Sequence, residues 1–185
     1  IIKTARFGYD GKGQRTVYTQ AEVQQAFKDF KQQPCVLEKR LDLALEVSVV
    51  AMRNQAGQIA SFPIAENQHI HGILHASIVP ARISPEMASH ITQMAEQLIA
   101  HLAYVGVLAV EFFILQDRQV LVNEIAPRPH NSGHYTLDAT ASSQFEQQVR
   151  MMCHLAPADT ALHTPAVMIN LLGDIWPKDN EPNWA

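Results

Sequence analysis

The spacing of apolar and polar positions changes period several times along the chain, and each change predicts an element. Ile1 to Thr4 reads as the end of an apolar strand, and Arg15 to Tyr18 as a short one. From Thr19 to Lys31 the spacing is helical. Thr19 stands three residues before Glu22, a capping-box interval, and Val23, Ala26, Phe27 and Phe30 mark one apolar side. Pro34 to Lys39, Leu45 to Met52 and Gln58 to Phe62 read as strands, with a turn at Asn54 to Gly57. Pro63 to Leu74 is polar and reads as a loop before a strand from Ala76 to Ala81. Ser84-Pro85-Glu86 opens the longest helix, running to about Tyr104, with Met87, Ile91, Met94, Ala95, Leu98 and Leu102 as its buried stripe. Two strand-like runs follow, Val107 to Leu115 and Gln119 to Ile125. Then come a helix from Ser142 to His154, a strand from Ala166 to Leu171 and a polar terminal loop from Trp176 to Ala185. The order predicts an α+β fold, mostly antiparallel sheets with flanking helices.

The two runs around Gln116-Asp117-Arg118 carry an electrostatic problem. If Asp117-Arg118 is a two-residue hairpin turn, Gln116 pairs with Gln119 and Glu111 falls opposite Glu124. Facing Cβ atoms in such a pair lie about 4.5–5.5 Å apart, and like charges there repel. A divalent cation with oxygen ligands would compensate them. The alternatives are a hairpin slipped by one residue, or one Glu reaching solvent at a strand end. The segment after Glu124, Pro127-Arg128-Pro129-His130-Asn131-Ser132-Gly133-His134, is a loop dense in hydrogen-bond donors. A zinc site from His130 and His134 is disfavoured, because the loop offers no third soft ligand and the Glu pair prefers a hard cation.

Three spaced glycines, Gly8, Gly11 and Gly13, follow the first strand. Such spacing lets backbone N–H groups turn toward an anion. The pattern is neither the Walker loop nor the dinucleotide fingerprint, and a plain hairpin turn at Asp10-Gly11 explains part of it equally well.

Bulk properties narrow the function. The chain has 185 residues, 47% hydrophobic, with a net charge of −4. That is enough for one domain, or one domain with an appendage, and it leaves no basic footprint for nucleic acid. No apolar run approaches a membrane span and the N-terminus lacks a signal-peptide pattern, so a cytoplasmic protein is expected. Cys35 and Cys153 are expected to be buried free thiols. His71, His75, His90, His101, His154 and His163 read as structural or surface residues. The chain opens inside an apolar strand without an initiator Met, as a piece of a longer protein would.

Together these stretches resemble the ATP-grasp ligases: a glycine-rich loop after a strand ending in Lys, a Glu-Lys-x-Leu break at Glu38-Lys39-Arg40-Leu41, two Glu on paired strands, and Asn-Glu-x-x-x-Arg from Asn123 to Arg128. Within them, Phe7 to Gln14 and Asn123 to His134 closely resemble the N5-carboxyaminoimidazole ribonucleotide synthetase family, from Ile1 to about Gly173. The resemblance implies an ATP-grasp fold, with residues 1–40 forming a lid subdomain truncated at its N-terminal side and 41–185 the C-terminal subdomain. It also implies that the family's N-terminal domain and its C-terminal basic residues are missing here.

For the site, the resemblance implies ATP with Mg²⁺ on Glu111 and Glu124, with Asn123 adjacent. It puts Lys3 on the phosphates under a flap of Gly8, Gly11 and Gly13. Adenine would lie at Glu38, Lys39, Arg40 and Leu41, the ribose at Glu46, and a further nucleotide contact at His69. Arg128 would meet the transferred phosphoryl group. Bicarbonate would sit at His130, Asn131, Ser132, Gly133 and His134, and Tyr9 and Asp10 would hold the aminoimidazole ribonucleotide. A homodimer is implied as well. The rival readings are another ATP-grasp ligase activating formate or a different carboxylate, and a nucleotide-binding piece without catalysis.

Overall fold

The computed structural model describes residues 1–6, 8 and 12–173. The expected roles of Tyr9, Asp10 and Gly11, and the expected terminal loop, lie outside the described residues. Near the N-terminus, strand β1 (Ile2–Thr4) is flanked by β2 (Gln14–Arg15) and β3 (Cys35–Leu37), both antiparallel to it. Helix α1 (Gln20–Asp29) connects them. The predicted cap forms: the Thr19 hydroxyl accepts from the Glu22 N–H, and the Glu22 carboxylate reaches back to the Tyr18 N–H at 2.6 Å.

The larger sheet has seven strands. Its members are β4 (Leu43–Arg53), β5 (Ile59–Ser61), β6 (Ala65–Ile70), β7 (Ile73–Val79), β8 (Gly106–Leu115), β9 (Val120–Ala126) and β10 (Ala166–Ile169). They run in the order β10-β7-β6-β4-β8-β9, with β5 also paired to β4. Every pairing among the described residues is antiparallel, so the class is α+β as expected.

Alternation along β4 and β8 divides the core into two layers. Val47, Val49, Ala51, Leu108, Val110, Phe112 and Ile114 pack on Ile91, Ala95 and Ile99 of α2 (Pro85–His101). The opposite side chains, Val50, Met52, Val107 and Ala109, meet Tyr135, Ala139 and Met151. Those last residues come from, or lie beside, a 3₁₀ helix (Asn131–Leu137) and α3 (Gln144–Met152). Burying one large aliphatic or aromatic side chain stabilises by roughly 1.5–3 kcal/mol. This packing, more than helix propensity, holds α2 on the sheet. Farther along the second face, β4 and β8 turn polar at Glu46, Ser48 and Glu111, and there the site begins.

Several expectations need correction. Pro63 to Leu74 is not a loop: β6 and the start of β7 lie within it, joined by a turn in which His71 and Gly72 take positive φ. The segment looked like loop because its inward positions are polar, but they are paired. Glu66 meets Arg82, and Asn67 bonds to Ser48 and Ser77. From Asn131 on, the expected donor-rich loop is instead a partly buried 3₁₀ helix, with Ser132 and Gly133 inside and His134 exposed. The predicted strand from Arg15 to Tyr18 shrinks to Gln14–Arg15. Leu102 is 55% exposed, and Ile99, not foreseen, is buried in its place. Phe27 is also exposed. Neither cysteine is buried: Cys35 is half-buried and Cys153 exposed.

Glu66 is 2% exposed, and the Arg82 guanidinium beside it holds its carboxyl below the ordinary carboxylate range. A depressed folded pKa stabilises above the unfolded value, near 4.5, and that stability is lost as pH falls through the lower folded value. In Arg82→Ala the buried carboxyl keeps only the main-chain N–H of residue 82, at 3.1 Å, which burial outweighs; its pKa rises and the sign reverses. Thermal melts between about pH 7 and about pH 3 should therefore show a variant deficit that is largest at neutral pH and shrinks on acidification. A deficit independent of pH would contradict this.

Candidate functional site

The two glutamates do face each other, by a different route from the simple hairpin. Leu115 donates to the Gln119 carbonyl, so Gln116, Asp117 and Arg118 make a three-residue turn with Arg118 at φ 69°. From there Ile114 pairs with Val120 and Phe112 with Val122, a register that would bring Asn123 opposite Glu111 and turn Glu124 to the other face. An irregularity at Asn123 shifts the register by one, and Glu111 pairs with Glu124 after all. The extra residue of a bulge shares its neighbour's side of the strand. Asn123 and Glu124 accordingly line one cleft together with Glu111, the Asn123 amide 3.5 Å from Glu111 Oε2.

That cleft, of about 490 Å³, lies between the two sheets. Its upper wall holds Lys3, Thr4, Gly8, Lys12 and Gly13, and its lower wall Glu46, His69, Glu111 and Phe113. Gly13 has φ +74°, and a Cβ there would stand 2.6 Å from Thr4 Oγ1, so only glycine lets the loop fold this closely over β1. Lys3 Nζ is 2.6 Å from Glu38. Glu38, Lys39 and Arg40 border a neighbouring hollow with Tyr18 and Val23; Leu41 does not reach it.

Three carboxylates and a histidine crowd the lower wall. Burial pushes the Glu111 carboxyl above its ordinary range; His69 draws it back, while Glu124 and Glu46 raise it further. His69 Nδ1 lies 3.0 Å from Glu46 Oε2, though not aligned as a hydrogen bond. The interaction with Glu46 still raises its pKa against the effect of burial. His130 Nε2 is 3.4 Å from Glu111 Oε1, but burial, then Arg128 and His134, lower its pKa to about 4. This imidazole is neutral near pH 7 and does not balance the glutamates. Such a set suits a small hard cation that takes its remaining ligands from phosphate oxygens. Among the described residues no three His, Cys, Asp or Glu side chains form a metal cage by themselves.

A second cavity, of about 500 Å³, adjoins the first and shares Gly8, His69, Gly72, Glu111 and Glu124 with it. Leu74, Arg128, Pro129, His130, Asn131 and His134 complete it. The Arg128 guanidinium bonds to the Pro129 carbonyl at 3.0 Å and leaves both glutamates free of it. The His134 ring stacks on Phe145, centroids 5.8 Å apart. Ser132 and Gly133 are buried and do not line the cavity. Gln144 fastens the main chain of His130 through its N–H at 2.9 Å and its carbonyl at 2.7 Å. A Cβ on Gly133 would meet Gln144 Oε1 at 2.6 Å, so this glycine makes room for the clamp. The six histidines read as structural or surface residues are all exposed.

Sequence reasoning missed Ser48, Asn67, Ser77 and Gln144. The first two hid differently: Ser48 is a lone hydroxyl inside an apolar strand, and Asn67 fell in the supposed loop.

The ATP-grasp domain family matches residues 1–145. The chain is 47% identical over 174 residues to the N5-carboxyaminoimidazole ribonucleotide synthase of Bacillus subtilis, covering 94% of this chain and 46% of that protein. Two solved structures are similar. The Staphylococcus aureus N5-carboxyaminoimidazole synthetase complexed with ADP has a TM-score of 0.85 at 42% identity, over 93% of this chain and 46% of that one. The Aspergillus clavatus enzyme with ADP and 5-aminoimidazole ribonucleotide has 0.83 at 28%, over 93% and 45%. The chain thus spans about half the length of these relatives. No described helix is long and apolar enough to cross a membrane.

His69 gives this geometry a direct readout. A ¹H–¹⁵N titration should find it above the ordinary histidine value, and Glu46→Gln should bring it down. Because its folded pKa is raised, the stability it contributes is present below about 6.5 and is lost as pH rises through the folded value. A His69 titration unmoved by Glu46→Gln would contradict the contact.

Proposed function

Because this chain belongs to the ATP-grasp family, we propose that it carries the nucleotide- and bicarbonate-binding part of an ATP-dependent carboxylase that acts on 5-aminoimidazole ribonucleotide. The observation that carries the reading is the continuity of the two cavities. The cleft with Glu111, Asn123 and Glu124 opens directly onto the pocket of Arg128, His130, Asn131 and His134. The likeness to synthases of this name and to structures holding ADP or the ribonucleotide supports it.

In this reading the adenine lies by Glu38, Lys39 and Arg40, with Leu41 behind them, and the ribose by Glu46 and His69. Lys3 exchanges its bond to Glu38 for the phosphates, as a compact ammonium suits a phosphate oxygen. The Gly8–Gly13 loop covers them. Glu111 and Glu124, with Asn123, hold Mg²⁺, which neutralises phosphate charge when bound.

Bicarbonate sits among the Asn131 amide, His130 and His134, while Ser132 and Gly133 support that wall from beneath. A bicarbonate oxygen attacks the γ-phosphorus, the bond to the β-phosphate oxygen breaks, and ADP leaves carboxyphosphate behind. Arg128 stands where charge spreads over the transferred phosphoryl group. The amine of the ribonucleotide, oriented by Tyr9 and Asp10, captures the carboxyl carbon or the CO₂ released from it. A proton is lost from nitrogen and phosphate departs.

ADP release by the full-length protein should require bicarbonate and the ribonucleotide together. Glu124→Ala should weaken Mg-ATP binding by on the order of tenfold or more. Release that required formate and ignored bicarbonate would overturn the assignment. Mg-ATP binding unchanged in the variant would overturn the metal site.

A further inference from the structure

The polar row on the inner face of the large sheet continues past the cleft into its interior. Ser77, Asn67, Ser48 and Ser132 are all buried. Ser77 and Asn67 pair across β6 and β7, and Ser48 pairs with Glu111 across β4 and β8, so they share one face of the sheet. Ser77 Oγ donates to Asn67 Oδ1 at 2.9 Å, Asn67 Nδ2 to Ser48 Oγ at 2.9 Å, and Ser48 Oγ to Ser132 Oγ at 2.8 Å. Ser132 Oγ is 2.9 Å from His130 Nδ1.

The cleft end fixes the direction of this chain. The main-chain N–H of Ser132 can only donate; it is shared between Asn131 Oδ1 at 3.0 Å and His130 Nδ1 at 3.4 Å. The other imidazole nitrogen, Nε2, faces a carboxylate oxygen of Glu111 at 3.4 Å, though not aligned as a hydrogen bond. Nδ1 is therefore the acceptor and Nε2 carries the hydrogen. With Nδ1 accepting, Ser132 Oγ donates to it and is free to receive from Ser48, which in turn receives from the Asn67 amide. Every link then has one donor and one acceptor, as buried polar groups require.

We propose that Ser77, Asn67 and Ser48 are positioning residues: a buried relay that holds His130 as the Nε2–H tautomer and aims that N–H into the cavity beside Glu111. None of the three lines the cavity, and they act only through Ser132 and His130. The relay itself stands on hydrogen-bond geometry. Its consequence for turnover rests on the placement of bicarbonate at His130.

The test is a long-range ¹H–¹⁵N correlation of the histidine rings in the full-length protein, compared with Ser48→Ala. The wild type should show a pyridine-like Nδ1 and a pyrrole-like Nε2 for His130, and the variant a mixture of tautomers. In turnover, Ser48→Ala should raise the KM for bicarbonate on the order of tenfold, the scale of one lost hydrogen bond, with the KM for ATP nearly unchanged. Ser48→Thr, which keeps the hydroxyl, should restore both signals. If Ser48→Ala does not fold, Ser77→Ala, four links from the imidazole, should move the same signal by less. A wild-type Nδ1–H pattern, or a His130 pattern unchanged in the folded variants, would overturn the relay. A changed pattern with an unchanged KM for bicarbonate would uphold the relay and overturn the bicarbonate placement.

Discussion

Two carboxylates held side by side on the inner face of an apolar sheet are the constraint around which the rest is arranged. Glu111 and Glu124 are directly paired across β8 and β9, at a spacing where like charges destabilise a sheet. Burial adds to the cost by pushing the Glu111 carboxyl upward. His130, 3.4 Å away, is neutral and offers no relief, and His69 offsets only part of the cost. A fold that keeps this arrangement keeps an unsatisfied demand for positive charge at one point of a cleft. The proposed Mg-ATP answers it, with phosphate oxygens completing the coordination that two carboxylates leave open.

The bulge at Asn123 shows how local backbone geometry and chemistry are joined. The three-residue turn alone would send Glu124 to the wrong face. The added residue corrects the register and also places an amide next to the two carboxylates. On the neighbouring strands, the same face carries Ser48, Asn67 and Ser77, fully engaged with one another. Buried polar networks are stable only when every member is satisfied. This one ends on the imidazole of His130, while Gln144 grips its main chain. The wall of the second cavity is therefore set by the sheet beneath it as well as by its own loop.

Much of this was legible in the sequence where a local rule has one outcome. The Thr19 cap and the Ser84-Pro85 helix start follow from side-chain chemistry over a few residues, and both formed. The Glu111–Glu124 pairing was inferred correctly from a two-residue turn that does not exist; turn and bulge each displace the register by one, and the displacements cancel. The failures share a cause. By its polar Glu66 and Asn67, β6 reads as loop, yet tertiary partners 16 and 19 residues away bury them. Ser132 and Gly133 were expected at the cavity surface, but packing against Ser48 and Gln144 puts them beneath it. Spacing reveals which face a residue takes; it does not reveal which distant side chain waits there.

Paramagnetic relaxation by Mn²⁺-ADP, read on the backbone amides, tests the central claim most directly, because it locates the cation without depending on turnover. The expected result is broadening centred on Glu111, Asn123 and Glu124, decaying outward along β8 and β9, and abolished by Glu124→Ala. Broadening centred instead on His130 and His134, or unaffected by removal of Glu124, would contradict the assignment of the paired carboxylates as the metal site.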